Sequence, residues 1–135
     1  MSGHRESGAA DSLTGIWQGL YTYPHGSSVS FVATLIDSGG SFSGSTHEPH
    51  GFRSGCTVSA MLEGTREGHA VSFLKTYQDA GLMYAARVKY QGTLSSDATE
   101  IEGRWTIWTI WSGKFLMIRS AGKAAEVEHK QAEPV

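Results

Sequence analysis

Leu13-Thr14-Gly15-Ile16-Trp17-Gln18-Gly19-Leu20-Tyr21-Thr22-Tyr23-Pro24 is the stretch whose reading decides the fold. In an extended strand, alternate side chains share a face, so Trp17, Gly19, Tyr21 and Tyr23 point the same way. Three large aromatic residues on one face need a core to bury them. Gly19 offers no side chain to that core, which suits a bend or a close approach inside a small closed sheet. Pro24-His25-Gly26-Ser27-Ser28 then reads as a turn.

Moving outward, about eight strand-like runs follow, each bounded by turn residues. The first spans Gly15 to Tyr23, the second Val29 to Ile36 and the third Ser41 to about Glu48. The fourth spans Thr57 to Gly64, the fifth Ala70 to Tyr77, the sixth about Met83 to Leu94, the seventh Glu100 to Trp108 and the eighth Lys114 to Ser120. Asp37-Ser38-Gly39-Gly40 and Arg66-Glu67-Gly68 read as hairpin turns, and Trp111-Ser112-Gly113 as the last connection. No window has a helical period of apolar residues. Sequential hairpins make a meander, and a meander of this size removes its exposed edges by closing. The expected fold is all-β, an antiparallel up-and-down barrel of about eight strands over residues 13–120. Residues 1–12 are read as a disordered segment and residues 121–135 as a tail.

Composition narrows the function. The chain has 135 residues, enough for one domain. Its formal net charge of −2 argues against a surface that tracks phosphates, so nucleic acid is not an expected partner. No apolar run is long enough to span a bilayer. The first twelve residues lack the apolar centre of a secretory signal. Cys56, the only cysteine, leaves no partner for an intrachain disulfide and is read as a small buried residue. A soluble, cytoplasmic protein is the expectation.

The two-residue period sorts the interior. Trp17, Tyr21 and Tyr23 face inward from the first strand; Val71, Phe73, Lys75 and Tyr77 from the fifth; Ala86, Val88, Tyr90 and Leu94 from the sixth. Ile101, Gly103, Trp105 and Ile107 do so from the seventh, and Phe115, Met117 and Arg119 from the eighth. Ser72, Thr76, Arg87, Lys89 and Gln91 suit water. Two cations thus fall on apolar faces, and a buried charge is costly without a partner. Arg119 suits a floor position, stacked on an indole. Lys75 is either paired, with Glu48 or Glu63, or a ligand-binding group.

Gly15-Ile16-Trp17 at the first strand and Arg119 on the last resemble the calycin pattern, in which a tryptophan plugs the barrel floor beneath a late basic residue. Within that group the layout is most similar to the avidin family. Leu13 to Trp17, Gly44, Gly64-Thr65 before Val71-Ser72-Phe73, Val88 to Gly92, and Arg104-Trp105 fall in similar order. The resemblance implies a ligand site in the barrel and association of barrels through outer sheet faces. Biotin binding does not carry over. The chain has no asparagine, Gly19 stands two residues after Trp17, and Phe73 and Tyr90 stand where avidins place pocket tryptophans. Gly15-x-Trp17-x-Gly19-x-x-x-Tyr23-Pro24 is also similar to the opening of nitrobindin-type haem barrels. Their haem-ligating histidine lies near the chain end, where this chain has only His129, in the tail.

These readings give two functional expectations. The first is a non-catalytic binding module for a small organic molecule, an anionic one where Lys75 contacts it. Tyr21, Tyr23, Phe73, Lys75, Tyr77, Tyr90 and Trp105 would form its site, with Trp17 and Arg119 as the floor. The alternative is an interaction protein with a filled barrel that forms a homodimer or homotetramer through the outer face near Trp108 and Trp111. No catalytic constellation, cofactor motif or phosphate loop appears. His47-Glu48-Pro49-His50 is the densest group of metal-capable side chains, but it is read as a polar loop at the mouth because structural zinc takes four ligands.

Overall fold

The computed structural model describes residues 12–49, 55–78, 87–108 and 110–119. They form a closed barrel of eight antiparallel strands in chain order, and no helix occurs among them. The strands are β1 (Gly15–Thr22), β2 (Ser28–Asp37), β3 (Ser41–Pro49), β4 (Thr57–Glu67), β5 (Ala70–Tyr77), β6 (Arg87–Leu94), β7 (Glu100–Ile107) and β8 (Trp111–Ile118). Each strand pairs with its sequence neighbours, and β8 returns to β1 over Gln18–Tyr21 and Phe115–Ile118. Closure leaves no strand without two partners, which is how a meander satisfies its outer backbone groups.

Burial alternates along the strands with period two. Trp17, Gly19 and Tyr21 are buried on β1 while Ile16, Gln18 and Leu20 between them are exposed. Val71, Phe73 and Lys75 face in from β5, Val88, Tyr90 and Leu94 from β6, Ile101 and Trp105 from β7, and Phe115 and Met117 from β8. A shift of one residue in any register would turn these side chains outward, so the apolar face fixes the register. Gly19 has a steric role. A Cβ there would collide with the Phe31 ring, which lies across the glycine in the lumen.

Several boundaries differ from the expectation. β4 continues past Gly64 to Glu67, and its hairpin turns at Gly68, whose φ is +63°. β8 begins at Trp111, not Lys114; the turn falls earlier, where Trp108 has a φ of +53°. Trp111-Ser112-Gly113 is therefore strand, and pairs with Trp105 to Ile107. β6 is described from Arg87, so its expected start at Met83 and the inward Ala86 lie outside the described residues, as do the 1–11 segment and the 121–135 tail. Cys56 is exposed, which corrects the reading of a buried residue: it precedes β4 instead of lying in its inward row.

The floor is built around Trp17. Its indole N–H donates to the Leu13 carbonyl at 2.9 Å, and the Arg119 guanidinium stacks 4.6 Å from the ring centroid. Arg119 also donates to the carbonyls of Ala98 and Thr14, both at 3.0 Å. The backbone N–H of Leu13 donates to Asp37 at 2.9 Å, fastening the incoming chain to the end of β2. Above the floor, Phe73 stacks on Tyr90 at 4.7 Å, with Phe42 and Phe115 edge-on to the pair. Aromatic side chains, with aliphatic ones such as Leu35, Leu62, Ile101 and Met117, thus fill the lower and middle lumen.

Candidate functional site

At the other end of the barrel the filling stops. A cavity of about 130 Å³ lies there, lined by Tyr21, Tyr23, Val29, Glu48, Pro49, Tyr77, Val88, Tyr90, Trp105 and Ile107. Their positions follow from strand direction. Tyr21 and Tyr23 lie at the end of β1, Glu48 and Pro49 at the end of β3, Tyr77 ends β5, and Trp105 and Ile107 lie at the end of β7. Val29 and Val88 enter from the starts of β2 and β6.

Glu48 is the hub of the polar groups. It is 3% exposed, and Lys75, 1% exposed, donates from Nζ to its Oε1 at 2.8 Å. The Tyr21 hydroxyl donates to Oε2 at 2.7 Å, and the Tyr77 hydroxyl lies 3.1 and 3.2 Å from the two oxygens. Three donors thus converge on one carboxylate, as a buried carboxylate requires. The Lys75 ammonium is also surrounded by π faces. The ring centroids of Phe31, Tyr21, Tyr77 and Tyr90 lie 4.6, 4.7, 5.0 and 5.6 Å from Nζ. Each ring face carries partial negative charge that favours a nearby cation.

This environment shifts the titrations. Burial lowers the Lys75 value below that of a free lysine, and attraction to Glu48 offsets part of the effect. Burial raises Tyr21, Tyr77 and Tyr90 far above the ordinary phenol value, and the neighbouring Glu48 charge adds to it in all three. The phenols therefore stay protonated as hydrogen-bond donors and are poor general bases.

Trp105 closes one wall. Its indole N–H donates to the Thr22 carbonyl at 2.9 Å, reaching past β8 at Gly113. A Cβ at Gly113 would strike both that carbonyl and the indole, so glycine makes this bond geometrically accessible. Tyr23 packs edge-on to Tyr21, Trp105 and Trp111 and stacks on His25 at 5.3 Å. Trp108 is 74% exposed on the β7–β8 turn beside this rim.

Of the residues singled out from sequence, Tyr21, Tyr23, Tyr77, Tyr90 and Trp105 line the cavity together. Phe73 and Lys75 lie beneath it: Phe73 is packed among rings and Lys75 is sealed behind Glu48. Glu48, expected from sequence as a partner for Lys75 or a member of the His47–His50 polar group, is the acidic group of the lining. The alternation of β3 carries a weak signal for it, since Phe42, Thr46 and Glu48 all face inward. His47 and Glu48 point to opposite sides of the wall, so they do not converge on one ion, and His50 lies outside the described residues. No cluster of three or more metal-capable side chains occurs among the described residues.

No protein-family model and no curated protein sequence matches the chain. Its fold is similar to solved designed barrels. A redesigned β-barrel is 19% identical with a TM-score of 0.70, covering 84% of this chain and 96% of its own. A de novo designed fluorescence-activating β-barrel is 13% identical with a TM-score of 0.65, covering 84% of this chain and 98% of its own. The structure of EF1p2_mFAP2b bound to DFHBI is 17% identical with a TM-score of 0.65, covering the same 84% and 98%. At these identities the likeness concerns the fold: an eight-stranded up-and-down β-barrel.

Proposed function

We propose that the chain is a non-catalytic binding protein for a small, flat organic molecule seated in the mouth cavity. The carrying observation is the change in filling along the barrel axis. Side chains close the floor and middle, whereas at the mouth aromatic groups and one hydrogen-bonded acidic hub surround unfilled space. Apolar walls with a few placed polar groups are the usual make-up of such sites. The volume suits one ring, since a cavity of about 150 Å³ accepts benzene. The Trp17–Arg119 stack supports a calycin-like reading of the scaffold, and the absence of asparagine argues against biotin. The exposed Cys56 thiol suits a reducing, cytoplasmic setting. Titrating the protein with monocyclic aromatic compounds while following the tryptophan indole N–H signals by NMR tests the site. Binding should move the Trp105 signal; silence across compounds of every charge would refute the reading.

A second reading rests on a separate observation. Ile16 and Leu20 of β1 and Val32 and Ile36 of β2 are large apolar side chains exposed on the outer wall. They supply a sheet face on which barrels could associate. Trp108 and Trp111, the face expected from sequence, instead sit at the mouth hairpin. Light scattering after size exclusion separates the readings: a strict monomer at high concentration would count against association.

A further inference from the structure

Resting on the mouth cavity as a small-molecule site, the geometry points to the class of ligand: an aromatic ring bearing a protonated amine, with the ammonium directed at Glu48. The expected anionic ligand depended on Lys75 reaching the cavity, and it does not. Glu48 lines the cavity and Lys75 lies behind it, 2.8 Å from Oε1. The buried pair therefore turns its negative end towards the ligand space. Glu48 also lines a second depression, where β2 and β3 separate beyond the Val32–His47 pair.

The donors around the cavity point the same way. An anion needs N–H or O–H groups directed at it. The Tyr21 and Tyr77 hydroxyls are turned onto Glu48, the Trp105 N–H is turned onto the Thr22 carbonyl, and Pro49 has no N–H to give. The Tyr23 and Tyr90 hydroxyls are neutral donors, and no cationic side chain is among the described lining residues. The ring faces complete the case. One level below, the protein already holds an ammonium, that of Lys75, among four aromatic rings against this same carboxylate. A ligand ammonium would meet the same chemistry from above, with Tyr23 and Trp105 as walls.

The test uses benzylamine, benzyl alcohol and benzoate, which share a ring and differ in charge. Dissociation constants are read at neutral pH from the Trp105 indole signal. Benzylamine should bind about tenfold more tightly than benzyl alcohol, and benzoate most weakly. Glu48→Gln should erase the preference for the amine. If that variant does not fold, Glu48→Gln combined with Lys75→Met removes both charges and should bind the amine and the alcohol equally. Benzoate binding as tightly as benzylamine would overturn the ligand class and leave the cavity reading standing. A preference for the amine that survives in the double variant would also overturn it. If none of the three perturbs Trp105, both readings fall.

Discussion

Removing one charge of the Lys75–Glu48 pair should cost far more than removing both. At 2.8 Å, two unit charges attract by about 6 kcal/mol at an effective dielectric of about 20. Desolvation opposes this by several kcal/mol per ion, so the net value of the pair is small. What remains after a single substitution is the desolvation cost without the attraction. Lys75→Met leaves Glu48 buried with only the Tyr21 and Tyr77 hydroxyls, and Glu48→Gln leaves a buried ammonium with no counter-charge, only the neutral amide oxygen, the ring faces and the distant Tyr90 hydroxyl at 3.5 Å. Each single variant should lose about 3–5 kcal/mol. The double variant exchanges the pair for neutral groups of similar volume and should recover most of that loss. Urea denaturation of the four proteins closes the double-mutant cycle, with equal m-values checking two-state behaviour. Single losses below about 1 kcal/mol, or losses that simply add, would refute the description of a sealed pair.

Three further outcomes are expected. Gly19→Ala drives a methyl group into the Phe31 ring and should destabilise by about 1–3 kcal/mol; adding Phe31→Leu should restore part of the urea midpoint, and no rescue would place the clash elsewhere. At high pH, the phenols of Tyr21, Tyr77 and Tyr90 hold their protons in the folded state while unfolded tyrosines release theirs, so stability should fall as pH rises above 10.0. Lys75 acts oppositely, since its folded value is lowered and the unfolded state binds more protons up to 10.5. Absorbance at the phenolate band should therefore show a step that coincides with unfolding measured by circular dichroism, and smooth titration without unfolding would contradict the burial. At low pH, burial acts to raise Asp37, but backbone donors from Leu13, Gly40 and Gly39, with the Arg66 charge, outweigh it and hold it below 3.8. Its contribution is present above 3.8 and should be lost as pH falls through the lowered value; Asp37→Asn should flatten that part of an acid unfolding curve.

The fold was legible because the interior is written in a period of two. Tyr90 and Trp105 sit between polar neighbours, and Trp17, Tyr21 and Phe73 each have a polar residue on one side, so the alternation assigns their faces without any tertiary information. The Arg119–Trp17 stack was legible for another reason: a guanidinium on an apolar face has few uses except to lie on a ring. Glu48 was harder. Its strand reads Ser-Phe-Ser-Gly-Ser-Thr-His-Glu-Pro, where inward Gly44 and Thr46 blur the apolar row. Its meeting with Lys75 also depends on barrel curvature, since Lys75 pairs with Leu62 and Leu62 with Gly44, four residues short of Glu48. Nor could alternation place the last turn. Trp108 takes up a positive φ, a conformation usually left to glycine, so Ser112-Gly113 gave the stronger turn signal in the wrong place.

The seam between β1 and β8 bears on how the chain reaches this state. Seven of the eight strand pairings join sequence neighbours, which hairpins can form locally. The eighth joins residues about a hundred positions apart over four aligned pairs. Loop-closure entropy places that contact late in folding. Until it forms, the meander is a curved open sheet with two unprotected edges, one of them carrying Trp17 and Tyr21. Aggregation during refolding should therefore depend on the lifetime of this unclosed sheet, and a covalent tie across the seam should suppress it even if equilibrium stability is unchanged.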